Sequence, residues 1–193
     1  MRHLVVCCDG TWNTPEEEAA TNVYRLHNAL ADTADDGTEQ LRYYDHGVGT
    51  EGGLADYVLG GAAGAGLSRN VLDAYYWLTT TYQPGDRIAL FGFSRGAYTG
   101  RSLAGMIATC GLLDTTSLND AMVWNQIDRV YHRRYQRGDR ASPRWRHGLR
   151  FSYDPEHADQ IPVHFIGVWD TVGSLGIPDY LGWLNLLDPL QIP

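Results

Sequence analysis

Two rhythms of apolar and polar positions alternate along the chain. Leu4-Val5-Val6-Cys7-Cys8, within residues 3–8, is a short unbroken apolar run, which predicts a strand buried on both faces. It ends in the turn-rich loop Asp9-Gly10-Thr11-Trp12-Asn13,. Thr21 or Asn22 can cap a helix reaching to about residue 31, with Val23, Leu26 and Leu30 on one face,. Residues 40–45 read as a second strand, closed by His46-Gly47-Val48-Gly49. Glycine then dominates as far as Gly66, predicting a long loop with a short helical piece around 55–59,. Ser68 is a candidate N-cap for a helix to about residue 82, with Val71, Leu72, Tyr75, Tyr76 and Leu78 among its apolar positions,. Gln83-Pro84-Gly85-Asp86 stops it. A buried strand follows at Ile88-Ala89-Leu90-Phe91, then a helix over about 95–109, a helix over 118–135, and a strand over 163–169,. Strands alternating with helices predict a mostly parallel α/β sheet with helices on both faces.

The strongest chemical signal sits between one such strand and the helix after it. Gly92-Phe93-Ser94-Arg95-Gly96 is a Gly-x-Ser-x-Gly pentapeptide. In a nucleophile elbow the serine occupies a strained turn that lifts its hydroxyl above the sheet. Residues two before and two after it approach each other, and Gly92 and Gly96 would relieve that contact. Gly100, one turn later, would let the helix lie close to the sheet. The plainer alternative is a serine in an ordinary strand–helix turn. The apolar strand before it and the helix after it favour the elbow.

Composition narrows the chemistry. The 193 residues suit one domain with a substantial core,. Net charge is −8, a poor basis for binding nucleic acid,. All 15 basic residues are arginine, which removes a Walker phosphate loop and any lysine Schiff base. Gly60 to Gly66 superficially resembles a phosphate cradle but follows no clear strand, and reads as a flexible loop,. The three cysteines, Cys7, Cys8 and Cys110, read as buried thiols,. Cys7 and Cys8 would point to opposite sides of their strand. No Cys-x-x-Cys pair points to zinc,. The N-terminus runs directly into a strand without a signal-peptide apolar region, and no apolar run approaches the ~18 residues of a membrane span,. Synthesis in the cytoplasm is expected, with export lacking a cleaved signal left open.

In a parallel sheet the loops at the carboxyl ends of the strands share one edge. That edge would carry Asp9-Gly10-Thr11, His46, Ser94 and Asp170. A serine esterase needs a base for its hydroxyl, a carboxylate to orient that base, and two N–H donors for the oxyanion. The Arg95 N–H, next after the serine, is one candidate donor, and the Gly10/Thr11 loop supplies the other. Asp170 ends a strand and follows the serine, as the hydrolase order Ser…Asp…His requires,; an Asx turn or helix cap is its plainer role. Asp9 would brace the oxyanion loop. Asp9-Gly10-Thr11 also resembles part of an aspartate phosphatase motif, but the second aspartate is missing. No metal or organic cofactor is called for.

Four segments occur together in order: Cys8-Asp9-Gly10-Thr11-Trp12-Asn13, Gly47-Val48-Gly49-Thr50, Gly92 to Thr99, and Gly167-Val168-Trp169-Asp170-Thr171-Val172-Gly173. With them the chain resembles the α/β-hydrolase domain family that includes phospholipase effectors of type VI secretion. The resemblance spans residue 4 to about 177. It implies an α/β-hydrolase fold, Ser94 as nucleophile, Asp170 as triad acid, and ester substrates with phospholipids foremost. It also implies a histidine well after the aspartate. The 23 residues after Asp170 contain none, and all seven histidines precede it. The expected reading is the N-terminal part of a longer hydrolase, 1–193, with 112–160 as a candidate cap-like insertion. The base would come from missing sequence or another chain. His46 is a substitute candidate, and an inactive fragment is the third reading. Eight arginines crowd residues 129–150 and could meet phosphate headgroups, with Trp124, Tyr131, Tyr135 and Trp145 at a lipid interface,; a solvated helix and loop is the plainer account. The functional expectation is a serine ester hydrolase acting on lipids at a membrane surface. The alternatives are a non-catalytic binding or assembly module and, more remotely, a magnesium-dependent phosphatase using Asp9.

Overall fold

Four parallel strands organise the protein. The computed structural model describes residues 1–10, 20–47 and 62–169. Strand β1 (His3–Cys8) lies between β2 (Gln40–Asp45) and β3 (Arg87–Phe93), and β6 (Val163–Trp169) pairs with the far side of β3. Every pairing in this sheet is parallel, with Cys8 opposite both Asp45 and Gly92, and Phe93 opposite Trp169. The pleat then sorts β1 by parity. Leu4, Val6 and Cys8 enter the main core, whereas Val5 and Cys7 face a smaller cluster on the opposite side.

Helices cover both faces, as the sequence pattern predicts. Helix α1 (Asn22–Ala29) sets Val23 against Val5 and Cys7. Helices α2 (Ala62–Thr81) and α3 (Arg95–Cys110) cover the main core face. There Tyr75, Leu78, Leu103, Met106 and Ile107 are fully buried against Leu4, Ile88 and Leu90. Each fully buried Leu or Ile contributes roughly 1.5–3 kcal/mol of transfer free energy. Helix α4 (Asp120–Val130) adds Val123, Ile127 and Val130 to the same cluster. All three cysteines are buried and free, and burial pushes the Cys7 and Cys110 thiols up to about 12.

Two features differ from the sequence expectation. Residues 62–66, expected in a loop, form the first turn and more of α2. Alanine is the best helix former, and extending a packed helix costs far less than nucleating one. Ser68 is therefore inside the helix, where its hydroxyl accepts a 2.8 Å bond from Tyr131. The second is an antiparallel pair, β4 (Leu112–Leu113) with β5 (Phe151–Tyr153). Strands of two and three residues are too short to show a period. Between them, Val123, Tyr131 and Trp145 join the main core. The expected helical piece at 55–59 lies outside the described residues.

At the amino edge, Asp86 ties three parts of the chain together. Its buried carboxylate accepts from the Arg2 backbone N–H at 2.9 Å, the Arg2 guanidinium at 2.6 Å and the Gln83 N–H at 3.0 Å. Burial alone would raise its pKa, but these donors together outweigh burial and hold it below the ordinary value. Its stabilisation is thus present above ~3.9, the ordinary aspartate value, and is lost as pH falls through the lower folded pKa. Asp86→Asn is expected to cost about 1–3 kcal/mol in denaturant melts at neutral pH, with a smaller difference from wild type as the solution is acidified through that range.

Candidate active site

The site grows from the junction of β3 and α3. Ser94 adopts φ 55° and ψ −117°, and no other non-glycine residue among those described has a positive φ. Such a conformation costs on the order of 1–3 kcal/mol and persists only where the surroundings impose it. Here they do. The Ser94 N–H donates to the Trp169 carbonyl at 3.0 Å, and the Ser94 carbonyl accepts from the Ala97 N–H at 3.1 Å. Ser94 occupies the N-cap of α3, where serine ordinarily accepts a bond from the helix's first turn. Its side chain makes no such bond, so the half-buried hydroxyl is not used in capping.

The glycines on either side have no room for a side chain. A Cβ on Gly92 would lie 2.6 Å from the Ala97 Cα, and one on Gly96 would lie 2.6 Å from the Asp9 carbonyl oxygen and closer still to that of Cys8. Gly100 is different. A Cβ there would meet nothing nearer than the Phe91 oxygen at 4.0 Å, so helix–sheet approach does not require glycine at that position.

Asp9 forms the second half of the site. It is buried at the end of β1, on the side covered by α1. Its Oδ1 accepts from the Gly10 N–H at 2.7 Å, and its Oδ2 accepts from the hydroxyls of Thr21 and Tyr44, both at 2.5 Å. Thr21 also caps α1, accepting from the Tyr24 N–H at 3.0 Å. One carboxylate thus joins the ends of β1 and β2 to the start of α1. The Gly10 N–H, a candidate oxyanion donor, is engaged by Asp9 instead. Burial, followed by the bond to Asp9, raises the Tyr44 pKa. Thr21 and Tyr44 were not legible as site residues. The parity that places Tyr44 opposite Cys7 is the signal that could have found the latter.

His46 follows β2 and is exposed, its ring edge-on to Tyr44 at 4.8 Å. His27 from α1 lies 5.1 Å from the same Tyr44 ring. Burial first, and the neighbouring Arg42 and His46 less, lowers the His27 pKa against an opposing hydrogen bond from its ring to Asn28. Neither histidine is hydrogen-bonded to Ser94. His3 and His164 lie at the opposite ends of their strands, and His132, His147 and His157 lie between α4 and β6. Asp45 ends β2 with a carboxylate whose pKa burial raises, against bonds from the Gly47 N–H and Asn70; sequence alone marked it only as the last residue of a strand. Thr11 and Asp170 lie outside the described residues. Among those described, no cluster of three or more His, Cys, Asp or Glu side chains could hold a metal ion, and no helix is long and apolar enough to cross a membrane.

A parallel sheet with helices on both faces and a strained Gly-x-Ser-x-Gly turn at its carboxyl edge defines an α/β-hydrolase-like fold. Residues 2–190 match the family described as type VI secretion (T6SS) phospholipase effector Tle1-like, catalytic domain, and the chain belongs to that family. It is also similar to the uncharacterised protein YEL023C of Saccharomyces cerevisiae, with 29% identity over 191 residues. That alignment covers 91% of this chain and 27% of the yeast protein, so the chain spans about a quarter of that relative. No solved structure matches.

The two helix glycines give a direct contrast. Gly96→Ala is expected to lose several kcal/mol of stability or to fail to fold, since backbone on both sides would have to move. Gly100→Ala is expected to be neutral or to gain up to about 1 kcal/mol, alanine being the better helix former. Thermal melts of the two variants beside wild type check both.

Proposed function

We propose that this protein hydrolyses carboxylic esters of lipids, with phospholipids foremost, through Ser94. The observation that carries the proposal is the strained Ser94 backbone with its hydroxyl unused for capping. An ordinary N-cap serine would adopt extended φ/ψ and bond the first helical turn. The phospholipid preference rests on the family.

In this reading Ser94 Oγ attacks the ester carbonyl while a histidine takes its proton. The oxyanion is held by the Arg95 N–H at the start of the 16-residue helix α3, where the helix dipole favours negative charge. The Thr11 N–H is the proposed second donor, because the Gly10 N–H is already engaged by Asp9. Asp170 follows Trp169, whose carbonyl holds the Ser94 N–H, and is assigned to orient the histidine. The histidine then protonates the leaving alcohol, and water releases the fatty acid from the acyl-serine. Since no described histidine is bonded to Ser94, the base is assigned to polypeptide beyond this sequence or to an accompanying chain.

The native protein, isolated with any chain that accompanies it, is expected to release fatty acid from phospholipid vesicles with or without a chelator. Ser94→Ala should lower the rate by at least about a thousandfold, while His46→Ala retains most of it. Unchanged release by Ser94→Ala would overturn the proposal. A loss in His46→Ala equal to that in Ser94→Ala would transfer the base role to His46. Abolition by chelator would favour metal-dependent chemistry at Asp9.

A further inference from the structure

Charge is distributed very unevenly in this acidic protein. Residues 129–150 hold eight of its 15 arginines and only one of its 23 acids, Asp139. The structure divides these arginines into two groups. Arg129 donates to the carbonyls of Arg144 and His147, and Arg134 to that of Gly138. Arg146 pairs with Asp154 and Glu156, and Arg150 with Asp114. These four fasten the segment to itself and to its neighbours. Arg133, Arg137, Arg140 and Arg144 are all exposed, and their side chains form no ion pair or hydrogen bond among the described residues. Among the described residues, four guanidinium groups within twelve residues thus lack an ion-pair or hydrogen-bond partner, in a chain of net charge −8.

Their position follows from helix direction. The Thr81 end of α2 lies at the amino edge of the sheet, where the Thr81 carbonyl accepts from Arg2. Helix α4 runs antiparallel to α2: Asp120 accepts from Tyr76, the Arg69 guanidinium lies 4.8 Å over Trp124, and Tyr131 donates to Ser68. Ser68 is 13 residues before Thr81, a rise of about 20 Å. The strands beside it are six and seven residues long, or about 20 Å. Tyr131 is therefore level with the carboxyl ends of the strands, the edge that carries Ser94. The five-residue π-helical turn Tyr131–Tyr135 follows α4 directly, and Tyr135 donates to the Ser102 carbonyl, midway along α3, at 3.0 Å.

We infer that the basic turn carrying Arg133, Arg137, Arg140 and Arg144 is a docking surface for an anionic phospholipid bilayer, presenting the Ser94 edge to the headgroup layer. The occupant is chosen on the basis of the lipid-hydrolase reading proposed above. Guanidinium groups suit phosphate by charge and by paired donors. Each basic residue near an anionic leaflet strengthens binding by about fivefold, and the attraction fades within a Debye length. The remainder of the protein is strongly acidic, so a bilayer of the same sign would repel it unless this face leads.

The test separates docking from hydrolysis by using Ser94→Ala as the parent, so vesicles stay intact whatever the chemistry. Its sedimentation with phosphatidylcholine vesicles containing phosphatidylglycerol is compared with neutral phosphatidylcholine vesicles. The parent should bind the anionic vesicles alone, and less as salt is raised. Adding Arg133→Gln, Arg137→Gln, Arg140→Gln and Arg144→Gln should weaken that binding by at least about tenfold, with an unchanged melting temperature. Equal binding of both vesicle types by the parent, or full binding by the folded quadruple variant, would overturn the inference. Failure of Ser94→Ala to abolish hydrolysis, by contrast, would count only against the proposed chemistry.

Discussion

The structure depends on one close approach. The first turn of α3 lies so near the ends of β1 and β3 that neither Gly92 nor Gly96 has room for a side chain. That contact fixes where the chain can turn between strand and helix. It forces the residue between them, Ser94, to a positive φ, and a serine held there cannot serve its own helix as a cap. Packing, backbone strain and an available hydroxyl are therefore consequences of one steric constraint. The cost of the strained residue is carried by the sheet and helices around it, where Leu4, Leu90, Leu103 and Ile107 are completely buried.

The polar half of the edge follows a different rule. A buried carboxylate is tolerable when its oxygens are satisfied. Asp9 meets that condition with donors from three elements: Gly10, Thr21 and Tyr44. This arrangement ties the end of β1 to the start of α1 and to β2. Gly47, at φ 75°, adds a further close approach, since a Cβ there would come 2.7 Å from the Gly10 oxygen.

Most of the fold was legible because the sequence signals were strong and local. The apolar runs at β1, β3 and β6, and the apolar positions of α1 and of α2 beyond Ser68, correspond to the elements observed. The turn pentapeptide carried its own steric explanation. What escaped was non-local. Tyr44 and Thr21 become site residues only through strand register and helix placement. Strands β4 and β5 are too short to show a period, and the start of α2 was obscured by glycines that a packed helix tolerates. Gly100 was given a packing role that the space around it does not demand. The division of the arginines into fastened and free groups required knowing that Asp114, Asp154 and Glu156 lie within reach of some of them.

The central proposal is that Ser94, held in this strained turn with its hydroxyl unused for capping, is the nucleophile. Covalent labelling of the native, folded protein by a fluorophosphonate, mapped by peptide mass spectrometry, tests it most directly. The account predicts a single adduct on Ser94 that disappears in Ser94→Ala. A folded protein that takes no label, or that takes it on another residue, would contradict it.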